Sequence, residues 1–547
     1  MEQLDFCVLH SLQKVFLEEP PVLDAACTGF TGLRNEKISF QVAFTSRENR
    51  LYRIRTSSEL AVSVREVISV PCAYPAHPET DEGYLRTQPG LYPDLLRCLP
   101  EGLVRGIPGQ WKSLWVELIP PKEGAMPGDY TVELVWETED TGETAGQVSV
   151  PVEIVDAMLP PQKLIRTEWF HGDCLSTYYN VAVFSEEHWA IMERFIQAAA
   201  DRGVNMILTP QFTPPLDTRQ GGERPTIQLI DVQVTPDGYV FGFDRLKRWI
   251  EMCDRCGIRY FEMSHLFTQW GAKAAPKVVA NTPDGEKRIF GWDTPAVGGE
   301  YTRFLQAYLP ALTAKLKEWN LQERVYFHIS DEPSLEHLES YQAAKQSVQD
   351  LLKGFPMLDA LSDYDFYQTG AVELPVCSNN HIHTFLEHGV SPVWSYYCTA
   401  QNLKVSNRFF SMPSARCRIY GTQLFCYAIP GILHWGYNFY YSQYSIYPID
   451  PYQTTDAGGC FPGGDPFLVY PGKGGVPEES IRMVVMEQAL FDLRALDALA
   501  EKIGREETVR WVESQLEEAV TFENSFISAE KLLLLREKVN RRLSDKA

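Results

Sequence analysis

The spacing of apolar residues changes abruptly near residue 160, and this change constrains the fold more than any other feature of the sequence. Up to about residue 155, short alternating or β-branched runs lie between turn residues, as in Lys37 to Phe44 and Ser113 to Leu118. Such runs are typical of an antiparallel β-sandwich. After Leu159-Pro-Pro161, short apolar runs are separated by longer segments, several with helical periodicity. That pattern predicts a barrel of alternating strands and helices.

Three domains are predicted from these patterns, because 547 residues are too many for one ordinary domain. Residues 1–158 form an N-terminal antiparallel β-sandwich, and residues 162–500 form a (β/α)8 TIM-like barrel that holds the catalytic site. Residues 501–547 form a C-terminal helical extension, whose charged amphipathic segment Ile527 to Arg542 is expected to pack against the barrel. The fold class is therefore multidomain, with an all-β and an α/β part.

Eight apolar runs are candidates for the barrel strands. They are Leu164 to Phe170, Val204 to Thr209, Ile258 to Met263, Val325 to Ser330, Met357 to Ser362, Leu374 to Cys377, Pro392 to Tyr397 and Gly431 to Trp435. Helical periodicity is found in Glu186 to Arg202, Phe243 to Cys256, Tyr301 to Trp319 and Leu335 to Leu352. Glycines such as Gly203 and Gly257 follow these segments as helix stop signals.

The charge balance of the chain excludes several classes of partner. Its 50 basic and 72 acidic residues give a net charge of −22, which repels phosphate backbones and anionic lipid surfaces. We therefore expect no nucleic-acid and no membrane partner. The N-terminal segment has acidic residues where a secretory signal needs basic ones, and the 12 cysteines are scattered, as in reduced intracellular proteins. Both features favour a cytoplasmic location.

Asp331 and Glu332 are the candidate catalytic residues. They follow the apolar run Val325 to Ile329 directly, and Pro333 ends the strand after them. In a barrel of this kind, the C-terminal ends of the strands face the active site. Adjacent carboxyl groups, with Cα atoms about 3.8 Å apart, disfavour each other's ionisation, so one can stay protonated near neutrality and act as an acid. The alternative interpretation is that the pair simply caps a helix.

A second catalytic carboxylate is missing where barrel glycosidases often have one. The usual mechanisms need two carboxyl groups about 5 to 9 Å apart. The seventh predicted strand ends in Val393 to Thr399 and the sixth in Val376 to Asn380, and neither stretch contains an acid. This absence favours a substrate-assisted route, in which the 2-acetamido oxygen of the sugar is the nucleophile. Glu332 would then be the acid/base, and Asp331 would orient the acetamido group.

Aromatic side chains at the strand ends could provide platforms for sugar rings. The candidate substrate-binding residues there are Trp169, His171, His328, Trp394, Tyr396, Tyr397, Trp435, Tyr437 and Asn438. Trp292, with Asp293, lies in a long loop that could close over the site, as could the segment 450–470. Because many aromatic residues of a large protein are core residues, we expect about half of these to contact substrate.

The segment His328-Ile-Ser-Asp-Glu-Pro333 resembles the catalytic signature of glycoside hydrolase family 123 and the related uncharacterised domain family 4091. Further stretches that resemble this family are Asn35 to Gln41, Trp115 to Leu118, Pro127 to Tyr130, Gly431 to Asn438, Gly464 to Gly472 and Ser480 to Arg482. They occur in the right order and cover about residues 30 to 500. Their combination is more specific than any one of them.

This resemblance implies a β-N-acetylgalactosaminidase or related β-N-acetylhexosaminidase that retains configuration by substrate assistance. It implies a carbohydrate substrate and no metal or organic cofactor. Asp331 matches the acetamido-stabilising aspartate of the family, and Glu332 matches its general acid/base. The aromatic residues Trp394, Tyr397 and Trp435 match the region of the sugar pocket. Galacto or gluco specificity and the oligomeric state are left open.

Three other functions stay open at the level of sequence. A glycosidase of other sugar specificity would use two protein carboxylates, with Asp363 or Asp365 after the fifth strand as the second one. A metal-dependent hydrolase is suggested by His381-Ile-His383, an alternating histidine pair that can hold zinc, with His388 nearby, although further ligands are not evident. A non-catalytic carbohydrate-binding barrel is the third, against which the intact Asp-Glu pair argues.

Overall fold

The computed structural model describes residues 4–22, 27 and 29–544. Residues 1–3, which begin the segment used to predict the location of the protein, lie outside this part, as do residues 545–547 of the predicted C-terminal extension. Across the described ranges, every helix is too short or too polar to traverse a lipid bilayer.

The N-terminal region consists of two β-sheets that share a core. Its strands are β1 (Leu4–His10), β2 (Phe30–Leu33), β3 (Ile38–Ser46), β4 (Arg50–Ser57), β5 (Ala61–Cys72), β6 (Gly90–Cys98), β7 (Leu103–Gly106), β8 (Trp111–Ile119), β9 (Gly128–Thr138) and β10 (Thr144–Val155). One sheet contains β1-β3-β8-β5-β6, and the other has the order β2-β10-β9-β4-β7. The predicted antiparallel sheets are confirmed, with one parallel pair, β2 and β10.

Alternation along the strands explains this core. In β9, Val132, Leu134 and Trp136 are all fully buried, while Thr131 and Glu133 between them are exposed. Successive side chains of a strand point to opposite faces, so one face of β9 packs inward. Phe40 and Val42 of β3 belong to the same cluster from the facing sheet, which makes a two-layer sandwich.

The next region alternates strands and helices. Its elements are β11 (Ile165–Glu168), α1 (Gly172–Tyr179), α2 (Glu186–Asp201), β12 (Met206–Thr209), β13 (Asp231–Thr235), β14 (Gly238–Gly242), α3 (Asp244–Cys256), β15 (Tyr260–Met263), β16 (Val278–Thr282), β17 (Gly285–Phe290), α4 (Gly299–Glu318), β18 (Val325–Phe327), α5 (Leu338–Val348), β19 (Leu358–Leu361), α6 (Tyr364–Gln368), β20 (Leu374–Ser378), α7 (Ile382–Glu387), β21 (Trp394–Tyr396), α8 (Ser414–Cys426) and β22 (Gly431–His434).

Eight of these strands form a parallel barrel that is nearly closed. They are hydrogen-bonded in the order β18-β15-β12-β11-β22-β21-β20-β19. A parallel bridge between Phe327 and Met357 joins the two outer strands, β18 and β19. Each strand lies within one of the eight apolar runs predicted from the sequence or exceeds it by a single residue, so the strand prediction is confirmed.

Apolar side chains from different strands fill the barrel. Met206 and Leu208 of β12 pack in one cluster with Leu358 of β19 and Trp394 of β21. Gly431 of β22 is needed for this packing, because a Cβ atom there would lie 2.1 Å from Cδ2 of Trp394. The residue makes room for the largest side chain of the neighbouring strand.

Two strand pairs that the periodicity did not predict lie in the connections after β12 and β15. They form a four-stranded sheet with the order β14-β13-β16-β17. Tyr239 and Phe241 of β14 pack against Phe304 of α4, with ring centroids 5.1 and 5.6 Å apart. The two long connections are thereby fixed to the outer helices of the barrel.

The C-terminal region connects the barrel to the sandwich. It consists of β23 (Val469–Pro471), β24 (Pro477–Ser480), α9 (Ile481–Ile503), α10 (Arg505–Leu516) and α11 (Ala529–Leu543). β24 pairs with β6 and carries β23 with it, so the first sheet has seven strands. The helices predicted from Ser480 onward are confirmed. Arg536 of α11 donates a hydrogen bond to Glu36 of the sandwich (2.5 Å), so this helix also contacts the first region.

Candidate active site

A cavity of about 190 Å³ lies at the C-terminal mouth of the barrel. Its lining residues are Trp169, Leu216, Asp217, Gln269, Trp270, Asp331, Glu332, Ala360, Tyr396, Cys398, Thr399, Leu433, Trp435, Gln443, Tyr444 and Phe461. They belong to, or follow, every barrel strand except β20. A larger cavity of about 650 Å³ lies between the sandwich and α11, away from these strand ends. Because barrel enzymes act at the C-terminal ends of their strands, the smaller cavity is the candidate active site.

Glu332 points its carboxylate into this cavity. The hydroxyl of Tyr396 donates a hydrogen bond of 2.7 Å to Glu332 Oε1. The backbone of Glu332 has φ +44°, in the left-handed region that non-glycine residues rarely occupy. Trp270 and Tyr444, which also line the cavity, have φ +60° and +58°. Such strained residues typically cluster at functional sites.

Asp331 is half-buried beside Glu332. Burial and the neighbouring Glu332 carboxylate raise the pKa of Asp331 well above its usual value. Its backbone carbonyl accepts a hydrogen bond from the Trp270 amide (3.3 Å). Among the residues that the structure describes, none donates a hydrogen bond to the Asp331 carboxylate, so this group is available to a ligand in the cavity.

A buried histidine lies beneath the carboxylate pair. His328 is fully buried, and its Nε2 lies 2.5 Å from Glu262 Oε1 while its Nδ1 lies 3.2 Å from Asp359 Oδ1. Burial by itself lowers the pKa of His328, but the two carboxylates outweigh burial and raise it to about 10. His328 is thus an imidazolium at neutral pH, held between two carboxylates, and it does not line the cavity.

Asp359 connects this buried group to the catalytic segment. Its Oδ1 accepts hydrogen bonds from the backbone amides of Ile329 and Ser330, each 3.2 Å long, and its Oδ2 accepts one from the Tyr341 hydroxyl. These two amides belong to the residues directly before Asp331. Asp359 therefore fixes the backbone from which the catalytic carboxylates project.

Three of the predicted aromatic residues line the cavity, and two of them are tryptophans, each held in place by its own buried acid. Nε1 of Trp169 donates to Glu262 (2.7 Å), and Nε1 of Trp435 donates to Asp465 (3.0 Å). Burial raises the pKa of Asp465 to about 7. The third is Tyr396, already described. Fixed rings of this kind suit the apolar faces of a sugar.

His171, Tyr437 and Asn438 are buried beside the barrel and do not line the cavity. The amide side chain of Asn438 bonds the backbone N–H and carbonyl of His171 (2.8 and 3.0 Å). The hydroxyl of Tyr437 donates to the carbonyl of Phe195 (2.7 Å). Burial and the nearby Arg224 lower the pKa of His171 to about 3, so its ring is neutral. These side chains fix the backbone after β11 and β22.

The other three predicted residues also lie elsewhere. Trp394 packs inside the barrel, and Tyr397 packs against His434 with ring centroids 5.2 Å apart. Trp292 lines a separate small cavity next to Arg288. Position along the strand explains the first case, because Trp394 and Tyr396 share a face of β21 but only Tyr396, at the C-terminal end, reaches the mouth.

Several lining residues come from loops that the strand pattern did not single out. Asp217 follows β12, and its carboxylate accepts a hydrogen bond from the Tyr444 amide (3.0 Å). Burial raises the pKa of Asp217 to about 6. The rings of Trp270 and Tyr444 contact edge to face at 5.9 Å. Their position in the sequence could have indicated these two residues, because Asp217 and Trp270 lie in the loops after the second and third predicted strands.

Residues proposed for the rival mechanisms are not part of this cavity. Asp363 caps α6, accepting a hydrogen bond from the Phe366 amide (3.1 Å), and Asp365 lies in the first turn of that helix. His381 lies at the N-terminus of α7, and His383 packs against Tyr427. Within the described ranges, no group of three or more metal-ligating side chains could hold an ion.

Carboxyl groups and aromatic rings at the C-terminal mouth of a parallel barrel are features that barrel glycoside hydrolases share. A family model described as "Glycoside hydrolase 123, catalytic domain" matches residues 169–499, more than half of the chain. The chain therefore belongs to glycoside hydrolase family 123, and the resemblance noted from the sequence is confirmed.

Solved structures provide a second comparison. A family 123 glycoside hydrolase from Clostridium perfringens, studied for glycolipid glycan hydrolysis, superimposes on this chain with a TM-score of 0.73 at 14% sequence identity. The superposition covers 99% of this chain and 97% of the Clostridium enzyme. A family 2 member from Bacteroides cellulosilyticus has a TM-score of 0.29 at 12% identity, covering 81% and 47%. At these identities, the first likeness shows a shared fold. No curated protein sequence matches the chain.

Proposed function

We propose that this glycoside hydrolase removes terminal β-linked N-acetylhexosamine, in particular N-acetylgalactosamine, by a retaining, substrate-assisted mechanism. One observation carries the proposal: adjacent Asp331 and Glu332 face one cavity, and the Asp331 carboxylate has no hydrogen-bond donor among the described residues. An acetamido N–H of a bound sugar would supply that donor. The substrate in this proposal is a carbohydrate, either an oligosaccharide or a glycoconjugate.

The proposed reaction has two steps. In the first, the acetamido oxygen attacks the anomeric carbon while Glu332 gives its proton to the leaving oxygen, and an oxazolinium ion forms. Asp331 accepts the acetamido N–H and stabilises the positive charge as it develops. In the second, water attacks the anomeric carbon, whose bond to the acetamido oxygen breaks, and gives a proton to Glu332, so that the acetamido group and the acid are both restored. Two inversions at one carbon give net retention.

The electrostatics of the pair fit these roles. Burial and the neighbouring Glu332 carboxylate raise the pKa of Asp331, so ionisation of both carboxyl groups at once is disfavoured. A bound acetamido N–H favours the ionised form of Asp331, since a hydrogen bond to a carboxylate stabilises its charge. In the proposed reaction Glu332 supplies the proton that the leaving oxygen needs.

Asp217 supports a second candidate function, a β-glycosidase with two protein carboxylates and another sugar specificity. Its carboxyl group lines the same cavity as Glu332 but comes from the loop after β12. In that mechanism Asp217 would be the nucleophile or base, and the substrate would need no acetamido group.

Isosteric variants separate the two candidates. The assay compares nitrophenyl β-glycosides of N-acetylgalactosamine, N-acetylglucosamine, galactose and glucose. We expect Asp331→Asn to lower kcat on the favoured acetamido sugar by about 100-fold or more, roughly the size of one lost charge-stabilising group, and Asp217→Asn to lower it much less. A thiazoline that mimics the oxazolinium should inhibit strongly. Full activity of Asp331→Asn, with loss in Asp217→Asn, would reject substrate assistance.

Glu332→Gln tests the acid separately. Loss of the proton donor should slow substrates with poor leaving groups by roughly 100- to 10,000-fold. Substrates with a dinitrophenyl leaving group need little protonation and should be much less affected. Equal losses on both kinds of substrate would show that Glu332 does not supply the proton.

A further inference from the structure

An unbroken chain of hydrogen bonds leads from Glu332 to the surface of the barrel. The hydroxyl of Tyr396 lies 2.7 Å from Glu332 Oε1 and 3.2 Å from the Ser362 hydroxyl. Ser362 lies 2.7 Å from the Ser378 hydroxyl, and Ser378 lies 3.0 Å from His381 Nδ1. His381 itself is exposed to solvent.

The residues of this chain come from three neighbouring barrel strands. Tyr396 ends β21, Ser378 ends β20, and Ser362 directly follows β19, while His381 begins the helix after β20. Ser378 is fully buried and Tyr396 is 5% exposed, and the hydroxyl groups of both contact the Ser362 hydroxyl that lies between them. β20 contributes no residue to the cavity lining, but its end carries the middle of the chain.

The chemistry of the groups fixes the direction of the chain. Once Glu332 has given up its proton, its carboxylate oxygens only accept, so the single proton of Tyr396 is donated to Glu332, and Ser362 must then donate to Tyr396. By the same count Ser378 donates to Ser362, and its oxygen accepts from His381 Nδ1. The side-chain oxygen of Asn380 also lies 3.0 Å from that nitrogen, and it accepts a hydrogen bond from Gln401 Nε2 (3.2 Å). Each donor therefore points toward Glu332.

We propose that Ser362, Ser378 and His381 are positioning residues that hold the Tyr396 hydroxyl on Glu332 and stabilise the carboxylate formed when Glu332 gives up its proton. Aligned hydrogen bonds polarise one another, so Tyr396 is a stronger donor at the end of the chain than alone. The stabilisation grows as negative charge develops on Glu332 and so acts most strongly in the transition state. This inference rests on the proposed role of Glu332 as the acid.

Other charged and titratable groups also act on Glu332, and the test must separate them from the chain. Asp331 is its sequence neighbour, and the thiol of Cys398 lies close enough to interact with its charge. Asp217 lines the same cavity. Substitution of Ser378 or His381 leaves these three groups in place, because neither residue contacts Glu332.

The experiment measures kcat/KM against pH for the parent and for Tyr396→Phe, Ser378→Ala and His381→Ala. The basic limb reports deprotonation of the catalytic acid, which is Glu332 in the proposed mechanism. Removal of the Tyr396 hydroxyl should move this limb to higher pH by about 1 to 2 units, the value of one hydrogen bond to a charged group. Ser378→Ala and His381→Ala should move it in the same direction by about 0.2 to 0.5 units, the part that polarisation adds.

The matched control is His388→Ala, which removes another exposed histidine at the opposite end of α7, outside the chain. Its profile should coincide with that of the parent. A second readout is kcat on a pair of substrates: the Ser378 and His381 variants should lose a few-fold activity on a poor leaving group and little on a dinitrophenyl leaving group, since only the former needs the proton.

Two failures can be told apart. If the limbs of Ser378→Ala and His381→Ala coincide with the parent while Tyr396→Phe shifts, the chain beyond Tyr396 has no effect and the inference is wrong. If Glu332→Gln keeps its activity on poor leaving groups, the role of Glu332 fails first. His381→Ala replaces an exposed side chain, so its result does not depend on whether the buried Ser378 variant folds.

Discussion

Replacement of His328 by glutamine is expected to destabilise the protein and to disturb the catalytic segment. The imidazolium lies between Glu262 (2.5 Å) and Asp359 (3.2 Å), and all three side chains are buried. Glutamine is of similar length but uncharged, and its one amide nitrogen cannot replace both ring nitrogens in the same geometry. The variant would keep two buried carboxylates without their shared cation.

The structure sets the size of this effect. Loss of one partner of a buried ion pair typically costs about 3 to 5 kcal/mol. Both carboxylates keep neutral donors: Glu262 accepts from Trp169 and Thr167, and Asp359 accepts from Tyr341 and two backbone amides. These bonds reduce the penalty, so we expect a loss near the lower end, about 3 kcal/mol. The double variant with Glu262→Gln should lose less than the two single variants together, because one unpaired charge is removed.

Urea unfolding followed by tryptophan fluorescence measures this loss, and kcat of the folded variant measures the effect on the site. A lower kcat is expected because Asp359 holds the backbone amides before Asp331. Surface substitutions ordinarily change the free energy of unfolding by no more than about 0.5 kcal/mol. If the value for His328→Gln lay within that range of the parent's, His328 would not be a buried cation. The reasoning would also be refuted if the losses of unfolding free energy in His328→Gln and Glu262→Gln simply added up in the double variant.

Three further predictions concern pH, the rim of the cavity and a helix cap. The pKa of His328 is raised to about 10 from 6.5, so its contribution to stability is complete below about pH 6.5 and is lost as pH rises through about 10. The urea midpoint of the parent protein should therefore fall over this pH range, and a midpoint that does not change with pH would contradict the shift. Trp270 is 40% exposed and lines the cavity, so Trp270→Ala should raise KM for oligosaccharides about 10-fold while leaving the melting temperature nearly unchanged. Asp363→Ala should cost about 1 kcal/mol through loss of the α6 cap, with kcat unchanged; a large fall in kcat would restore Asp363 as a catalytic candidate.

Much of the fold could be predicted from the sequence because it depends on local periodicity. Short apolar runs of strand length, separated by helical segments, located all eight barrel strands within a few residues. The small sheet of β13, β14, β16 and β17 was not predicted, because its strands are short and half exposed and have no continuous apolar pattern. Pairing of β24 with β6 joins residues far apart in the chain, which no local pattern reports.

Five of the predicted site residues lie at the cavity for the same reason. Asp331, Glu332, Trp169, Tyr396 and Trp435 end or follow barrel strands, and all five line the cavity, while their roles in catalysis and binding stay predictions. Apart from Trp292, which lies in a loop, the other predicted binding residues occupy similar positions in the sequence, but they do not line the cavity. A strand end places a residue near the site, whereas the direction of its side chain depends on packing with other strands.

The sequence by itself determined the two-part architecture, the eight strands and the position of Asp331 and Glu332 after the fourth strand, because these follow from periodicity and from turn residues along the chain. Only the tertiary structure decided what surrounds that pair: the buried imidazolium of His328, the carboxyl group of Asp217 across the cavity, and the hydroxyl chain from His381 to Glu332. Each of these depends on contacts between side chains from different strands, which form when the barrel closes.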